Sequence, residues 1–159
     1  MEHQDILSQV KRIHFVGIGG SGMCPLAEIL LHRGYELTGS DRSESDTLER
    51  IRAYGIPVYK EHRAENVEGA ELVVYSAAVK QDNPELAAAR AKGSPTVERS
   101  VMLGMVTKRY PRSVAVSGTH GKTTTTALIT QTLMLGGLDP SAVIGGKLPY
   151  IGGNGRAGK

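Results

Sequence analysis

The first 110 residues alternate short apolar runs with longer amphipathic segments, and the apolar runs have the length of strands. The predicted strands are RIHFVG (12–17), YELTGSD (35–41), PVYK (57–60), ELVVYS (71–76) and TVE (96–98). The middle of ELVVYS is almost entirely apolar, which indicates a strand buried on both faces of a parallel sheet.

The segments between these strands repeat apolar residues every three or four positions, as helices with one buried face do. The predicted inward residues are Met23, Leu26, Ala27, Leu30 and Leu31 in the first helix, which ends at Gly34, and Leu48, Ile51 and Tyr54 in the second. A third helix is predicted to begin at Asn83-Pro84-Glu85 and to end at Gly93, and 99–108 is a helix or a linker. Because parallel strands need crossover connections, the alternation predicts an α/β fold with a Rossmann-like parallel sheet over 1–110.

A second unit, over 111–159, is predicted to follow the boundary at Tyr110-Pro111. Its predicted elements are a strand at SVAVSG (113–118), a loop at THGKT (119–123), a helix over 124–137 and a short strand at SAVIGG (141–146). The helix would carry Leu128, Gln131 and Leu135 along one side. The remaining residues are rich in glycine and aperiodic, and no strand is predicted among them.

Composition and charge narrow the classes of function. The chain is 40% hydrophobic and 22% charged, and no apolar run reaches the ~18 residues of a membrane span. A secretory signal is not recognisable and Cys24 is the single cysteine, so a cytoplasmic protein without an internal disulfide is expected. The net charge of +3, with scattered Lys and Arg, favours anionic small molecules over nucleic acid or membrane as partners.

A first glycine loop lies between the first predicted strand and helix, where Gly17, Gly19 and Gly22 form the pattern G-x-G-x-x-G. Glycines there let a diphosphate approach the backbone, and the helix N-terminus offers free N–H groups. Asp41 is placed either to bind a ribose hydroxyl or to act as a capping or solvated loop acid. The loop therefore predicts a site for NAD or a nucleotide sugar, with a purely structural glycine turn as the alternative.

A second glycine loop, SGTHGKT, ends in the Gly-Lys-Thr of phosphate-binding loops. It supplies N–H groups for phosphate oxygens, the charge of Lys122 and the hydroxyl of Thr123 for Mg²⁺. Val116 stands where the usual pattern has its first glycine, and Gly118 gives a shorter glycine-bounded turn. His120 contacts the nucleotide or only shapes the turn, and a glycine turn that caps a threonine-rich helix is the alternative for the whole loop.

Four motifs resemble those of the Mur ligases. They are GIGGSGM (17–23), GSD (39–41), SAAVKQDNPE (76–85) and SGTHGKTTTT (117–126). The resemblance covers nearly the whole chain, GTHGKTT is highly specific, and the family departs from a plain phosphate-binding loop as this chain does at Val116. It implies ATP-dependent amide formation, in which a carboxylate of UDP-N-acetylmuramate takes the γ-phosphoryl group and the amine of L-alanine displaces phosphate.

The resemblance also implies two sets of site residues by matching position. The UDP-sugar set is Gly19, Gly20, Ser21, Gly22, Asp41, His62, Ser76 and Ala77, and a solvated loop histidine is the alternative for His62. The ATP set is Gly118, Thr119, His120, Gly121, Lys122, Thr123 and Thr124, with Lys122 on the terminal phosphates and Thr123 on Mg²⁺ as the catalytic pair. The chain departs from the family at Glu61-His62, where relatives often have Gly-His, and at Tyr75-Ser76-Ala77, where they have Ser-Ser-Ala.

The resemblance finally implies a UDP-sugar domain over 1–110, the start of a P-loop ATPase domain over 111–159 and a further domain for the amino acid. Asp139 is the only acidic residue after Lys122 and is badly placed as the second Mg²⁺ ligand, so an incomplete and inactive part of a longer ligase is expected. Two alternatives stay open: a murein-peptide recycling ligase of the same family, and an NAD-dependent oxidoreductase or NAD-binding module.

Overall fold

The computed structural model describes residues 6–159, so residues 1–5 of the predicted first domain lie outside the described part. Its first unit contains five strands: β1 (Arg12–Val16), β2 (Glu36–Ser40), β3 (Val58–Tyr59), β4 (Leu72–Tyr75) and β5 (Thr96–Glu98). All neighbouring pairs are parallel, in the order β3-β2-β1-β4-β5. The predicted α/β fold with a Rossmann-like parallel sheet is confirmed.

Four helices connect or follow these strands: α1 (Cys24–His32), α2 (Asp46–Ala53), α3 (Pro84–Ala91) and α4 (Arg99–Thr107). Short 3-10 turns lie at Ile6–Ser8, Ala64–Val67 and Pro149–Ile151. The predicted cap of α3 is present, because the Asn83 side chain accepts hydrogen bonds from the backbone N–H groups of Glu85 and Leu86. Segment 99–108, predicted as a helix or a linker, is a helix.

The sheet separates two apolar clusters, as a doubly covered parallel sheet requires. Phe15 and Leu72 belong to the larger cluster, which also contains the buried faces of α1, α2 and α4. Val16 and Val73 belong to the smaller cluster, which Leu86 of α3 completes. Alternate residues of β1 and β4 thus serve opposite faces, which explains why both strands are apolar almost throughout.

The second unit contains α5 (Lys122–Leu135) and an antiparallel pair, β6 (Ala142–Leu148) and β7 (Gly153–Arg156). The strand predicted at 113–118 is wrong: no strand forms there, and Val114 is 75% exposed. An apolar run becomes a strand only when a neighbouring strand takes its hydrogen bonds, and none does so within the described residues. The prediction of no strand after residue 146 is also wrong, because β7 lies there.

The β6–β7 hairpin packs against α1 of the first unit, and the glycines of β7 make this close approach possible. A methyl group added at Gly155 would lie 2.3 Å from Pro25 Cβ, and one added at Gly153 would overlap the Arg50 guanidinium. Arg50 donates to the carbonyl oxygens of Gly152 (3.0 Å) and Gly155 (3.1 Å). Helix α5 has little cover by comparison, and Leu128 and Leu135 on its predicted apolar side are 61% and 69% exposed.

Substituting Gly39 by alanine tests the packing of the first glycine loop on β2. The new Cβ would lie 2.6 to 2.9 Å from three side-chain carbon atoms of Ile18, which is fully buried. We expect a loss of about 1–3 kcal/mol in the free energy of unfolding, measured by urea denaturation. Gly104→Ala, in α4 with nothing within 4 Å of the added methyl, is the control and should be neutral or stabilising. An equal effect of both substitutions would contradict the prediction.

Candidate functional site

The first glycine loop follows β1 at the carboxyl edge of the sheet, beside the point where the strand order reverses between β1 and β4. Ligands of open α/β sheets bind in this crevice. The loop turns at Gly17 with φ +78° and hydrogen-bonds to itself and to β2 through Gly17, Ile18 and Gly20. Within the described residues, the backbone N–H groups of Ser21 and Gly22 have no hydrogen-bond partner. They are the donors this loop offers to an anion.

Asp41 is held against the first glycine loop. Its Oδ2 accepts a hydrogen bond from the Gly19 N–H at 2.9 Å, and its Oδ1 accepts one from the Ser43 N–H at 3.0 Å. Asp41 is therefore where a ribose-binding acid would lie, but it also takes the Gly19 N–H that sequence reasoning assigned to a diphosphate. Gly19 has a packing role as well, because an added Cβ would lie 2.9 Å from Asp41 Oδ2 and 3.0 Å from Leu48.

Arg99 is a candidate site residue that the sequence does not indicate. Its side chain covers Gly22, and a Cβ added there would lie 3.1 Å from Arg99 Nε. Within the described residues the Arg99 side chain forms no ion pair and no hydrogen bond, so its charge is free to meet an anion beside the N–H groups of Ser21 and Gly22. No pattern in the sequence indicates this, because Arg99 reaches the loop only through the position of α4 after β5.

The remaining predicted UDP-sugar residues lie along the same edge. Ser76 and Ala77 follow β4, and the Ser76 side chain would be 3.9 Å from a Cβ placed on Gly17. His62 lies after β3 and lines an open cavity of about 480 Å³ together with Arg42, Lys60 and Glu61. The histidine ring is not a free surface group as its loop position suggests, because its side chain is only 12% exposed.

A buried carboxylate, Glu85, explains the burial of His62. Glu85 Oε2 accepts hydrogen bonds from Ser40 Oγ and His62 Nδ1, both at 2.7 Å. Oε1 accepts one from Asn66 Nδ2 at 2.7 Å, and His14 Nε2 lies 3.3 Å from it, close enough for an ion pair but poorly aligned for a hydrogen bond. Burial alone would raise the pKa of Glu85, but these partners outweigh it and hold the pKa below its usual value.

A second cavity, of about 380 Å³, lies between the first glycine loop and the hairpin. Ser21, Arg50, Lys147 and Asn154 line it, and the Asn154 side chain donates a hydrogen bond to the carbonyl oxygen of Ser21. Cys24 also lines this cavity, but burial raises its pKa to about 11, so the thiol is protonated near neutral pH and is not a nucleophile. The cavity extends from the first unit toward the second.

The second glycine loop wraps the N-terminus of α5. Gly121, with φ +76°, turns the chain into the helix. Lys122 Nζ folds back on the loop and donates to the carbonyl oxygens of Gly118 (2.6 Å) and Thr119 (3.2 Å). No carboxylate in the described part of the chain pairs with Lys122, so its charge is not neutralised and its third ammonium proton is unused.

The rest of the predicted ATP set is exposed around this lysine. Thr119, His120 and Thr124 are exposed, and Thr123 lies against β6, with its Oγ1 3.1 Å from a Cβ placed on Gly145. Asp139 binds Arg156 and accepts the Lys159 N–H at 2.8 Å. Across residues 6–159 no three His, Cys, Asp or Glu side chains are grouped as a metal site would need.

None of the helices formed by residues 6–159 combines the length and the apolar character of a membrane span.

Comparison with known proteins matches residues 12–111 to the model of the Mur ligase family, catalytic domain. The UDP-N-acetylmuramate–L-alanine ligase of Legionella pneumophila (strain Corby) is 52% identical over 153 residues, which cover 96% of this chain and 32% of the relative. A crystal structure of UDP-N-acetylmuramate–alanine ligase from Thermotoga maritima superposes with a TM-score of 0.87 at 36% identity, covering 92% of this chain and 35% of the other.

A ligase from Neisseria meningitides that takes L-alanyl-γ-D-glutamyl-meso-diaminopimelate is also similar. Its structure superposes with a TM-score of 0.79 at 30% identity, covering 93% of this chain and 47% of the other. The chain spans about a third of the length of the curated relatives it matches.

Proposed function

The chain belongs to the Mur ligase family, and from this premise we propose that it provides the UDP-sugar site and the ATP loop of a UDP-N-acetylmuramate–L-alanine ligase. Residues 1–110 form the UDP-sugar domain in this proposal, and 111–159 belong to the ATP-binding domain. The partners are the small molecules UDP-N-acetylmuramate and L-alanine, with ATP and Mg²⁺ as cosubstrate and cofactor. Because these nucleotide substrates are cytoplasmic, the proposal includes a cytoplasmic location.

The observation that carries the proposal is the unpaired charge of Lys122 in the GTHGKT loop. Within residues 6–159 Lys122 donates only to carbonyl oxygens of its own loop and meets no carboxylate, so phosphate oxygens of a ligand would meet its charge directly. A redox enzyme that binds NAD at the first loop has no use for this second cationic loop. The two loops together therefore support a UDP sugar at the first and a nucleoside triphosphate at the second.

The residues of this chain would serve the reaction by binding and by electrostatics. The free N–H groups of Ser21 and Gly22, with Arg99 beside them, would hold the diphosphate of the UDP sugar. Lys122 would offset the negative charge that accumulates when a substrate carboxylate approaches the terminal phosphate. Mg²⁺, when bound at Thr123, would screen the same phosphates.

Thermal unfolding of the chain with three ligands in parallel tests the proposal. We expect UDP-N-acetylmuramate and ATP with Mg²⁺ each to raise the unfolding temperature, because a ligand that binds only the folded state stabilises it by mass action. NAD should have no effect. Stabilisation by NAD with no response to UDP-N-acetylmuramate would reject the proposal in favour of an NAD-binding protein. A second assay separates an L-alanine ligase from the peptide-recycling ligase. In the longer ligase, ADP should form with L-alanine in the first case and with the tripeptide in the second.

A further inference from the structure

The buried cluster around Glu85 joins parts of the chain that are far apart in sequence. Ser40 ends β2, His62 follows β3, Asn66 lies in the 3-10 turn at Ala64–Val67, and Glu85 lies in the first turn of α3. The Glu85 side chain is fully buried. A buried carboxylate is costly unless its oxygens accept hydrogen bonds, and here both oxygens are supplied. The carboxylate is therefore in its ionised form and acts only as an acceptor.

This arrangement determines which nitrogen of His62 carries the proton. Nδ1 lies 2.7 Å from the ionised Oε2 of Glu85 and 3.0 Å from Ser40 Oγ. The single proton of the Ser40 hydroxyl is donated to Glu85, so Ser40 Oγ faces Nδ1 as an acceptor. An unprotonated Nδ1 would face two acceptors at hydrogen-bonding distance, which is unfavourable. His62 must donate from Nδ1, and in the neutral ring Nε2 is then an acceptor.

The other ring nitrogen of His62 is the one left for a ligand. Within the described residues, His62 Nε2 has no hydrogen-bond partner and is not among the buried unpaired atoms. His62 lines the open cavity together with Arg42, Lys60 and Glu61, of which two are cationic. An unprotonated Nε2 at this cavity can accept a hydrogen bond from an N–H or O–H group of a ligand whose anionic part the two cations attract.

We propose that Glu85 is a positioning residue that fixes His62 with Nδ1 protonated, so that Nε2 accepts a hydrogen bond from the nucleoside of the bound nucleotide. The proposal rests on the proposed function for the identity of the ligand. Two groups of a uridine nucleotide present such a donor: the N3–H of the base and a ribose hydroxyl. Cytosine has an acceptor at N3, so Nε2 would discriminate uridine from cytidine if it meets the base.

The ¹⁵N chemical shifts of the His62 ring nitrogens in the chain without ligand test the tautomer directly. We expect a protonated Nδ1 and an unprotonated Nε2 in the wild type, and a loss of this preference in Glu85→Gln, whose amide presents both a donor and an acceptor. Glu68→Gln, an exposed acid of the same loop region, is the control and should leave the His62 shifts unchanged. A wild-type ring with the proton on Nε2 would overturn the proposal.

Affinities for UDP, CDP and the 2′- and 3′-deoxy analogues of UDP, measured by calorimetry, test the acceptor role. We expect UDP to bind about threefold to tenfold more tightly than the analogue that lacks the donor, and His62→Ala to bring that ratio close to one. Glu85→Gln should reduce the ratio as well, which loss of packing alone would not do. Unchanged ratios in His62→Ala against every analogue would refute the acceptor role.

The two readouts separate the possible failures. If UDP does not bind at all, the proposed function fails, while the ring shifts still decide whether Glu85 sets the tautomer. If Glu85→Gln does not fold, the wild-type shifts and His62→Ala remain decisive, since His62→Ala keeps the hydrogen bonds from Ser40 and Asn66 to the buried carboxylate.

Discussion

Replacing Lys122 by methionine is expected to weaken the binding of ATP with Mg²⁺ by about 10- to 100-fold. Methionine keeps an unbranched apolar stem but removes the ammonium group, whose charge no carboxylate in the described part of the chain neutralises. The lost interaction is a hydrogen bond to a charged phosphate, which contributes more than a neutral one. Calorimetric titration of the chain with ATP and Mg²⁺ measures the effect.

Two comparisons make this result specific to the second glycine loop. Lys92→Met removes an exposed lysine from the end of α3 and should leave ATP affinity unchanged. UDP-N-acetylmuramate should bind Lys122→Met as it binds the wild type, because the proposed function places its diphosphate at the first glycine loop and not at Lys122. Equal ATP affinity of wild type and Lys122→Met would mean that the loop does not bind phosphates.

The first unit could be predicted from sequence because its apolar residues form the buried core of the sheet and its helices. Phe15, Leu72 and Val74 are fully buried in a sheet with helices on both faces, so their runs have strand length and strand composition. The ends of helices were equally readable, since Asn83 caps α3 by its side chain and Gly34 ends α1 with φ +86°. Local chemistry and burial agree at each of these positions.

Strand β7 could not be predicted, because side-chain packing is not what holds it. Its sequence, GNGR, has no apolar alternation, and glycines are depleted in strands. Here they are needed because the backbone lies directly on Pro25 and Arg50, where a Cβ would overlap existing atoms. The opposite error was made at 113–118, where the apolar residues indicate a strand. That segment has no pairing strand within the described residues, so it stays irregular.

The Glu85 cluster was missed for a different reason. Glu85 was correctly placed in the first turn of a helix, where an acid is expected on electrostatic grounds alone. Only the tertiary fold brings Ser40, His62 and Asn66 around it and buries it completely. His62 was a candidate by resemblance, yet its sequence position indicates a solvated loop histidine. The partner that orients its ring comes from 23 residues further along the chain.

Arg50→Met is expected to lower the free energy of unfolding by about 2–4 kcal/mol and to release the hairpin from α1. The Arg50 side chain is 23% exposed and pairs at 3.0 Å with Glu28, which is 9% exposed, so removing one partner leaves a nearly buried charge. Loss of one partner of a fully buried pair costs about 3–5 kcal/mol, and the partial exposure of Arg50 reduces this. The carbonyl oxygens of Gly152 and Gly155 also lose their donor. Urea denaturation measures the stability.

Hydrogen exchange identifies where that stability is lost. We expect the amides of β6 and β7 to exchange faster in Arg50→Met than the change in global stability accounts for. The amides of β1 and β4 should lose protection only by as much as the free energy of global unfolding falls. Arg52→Met is the matched control: it lies two residues away on α2, is exposed and pairs only with exposed Glu44, so the hairpin should be unaffected. If both variants protect the hairpin equally, Arg50 does not anchor it.

Because Arg50 also lines the cavity between the hairpin and the first glycine loop, a faster-exchanging hairpin should be accompanied by weaker binding of UDP-N-acetylmuramate.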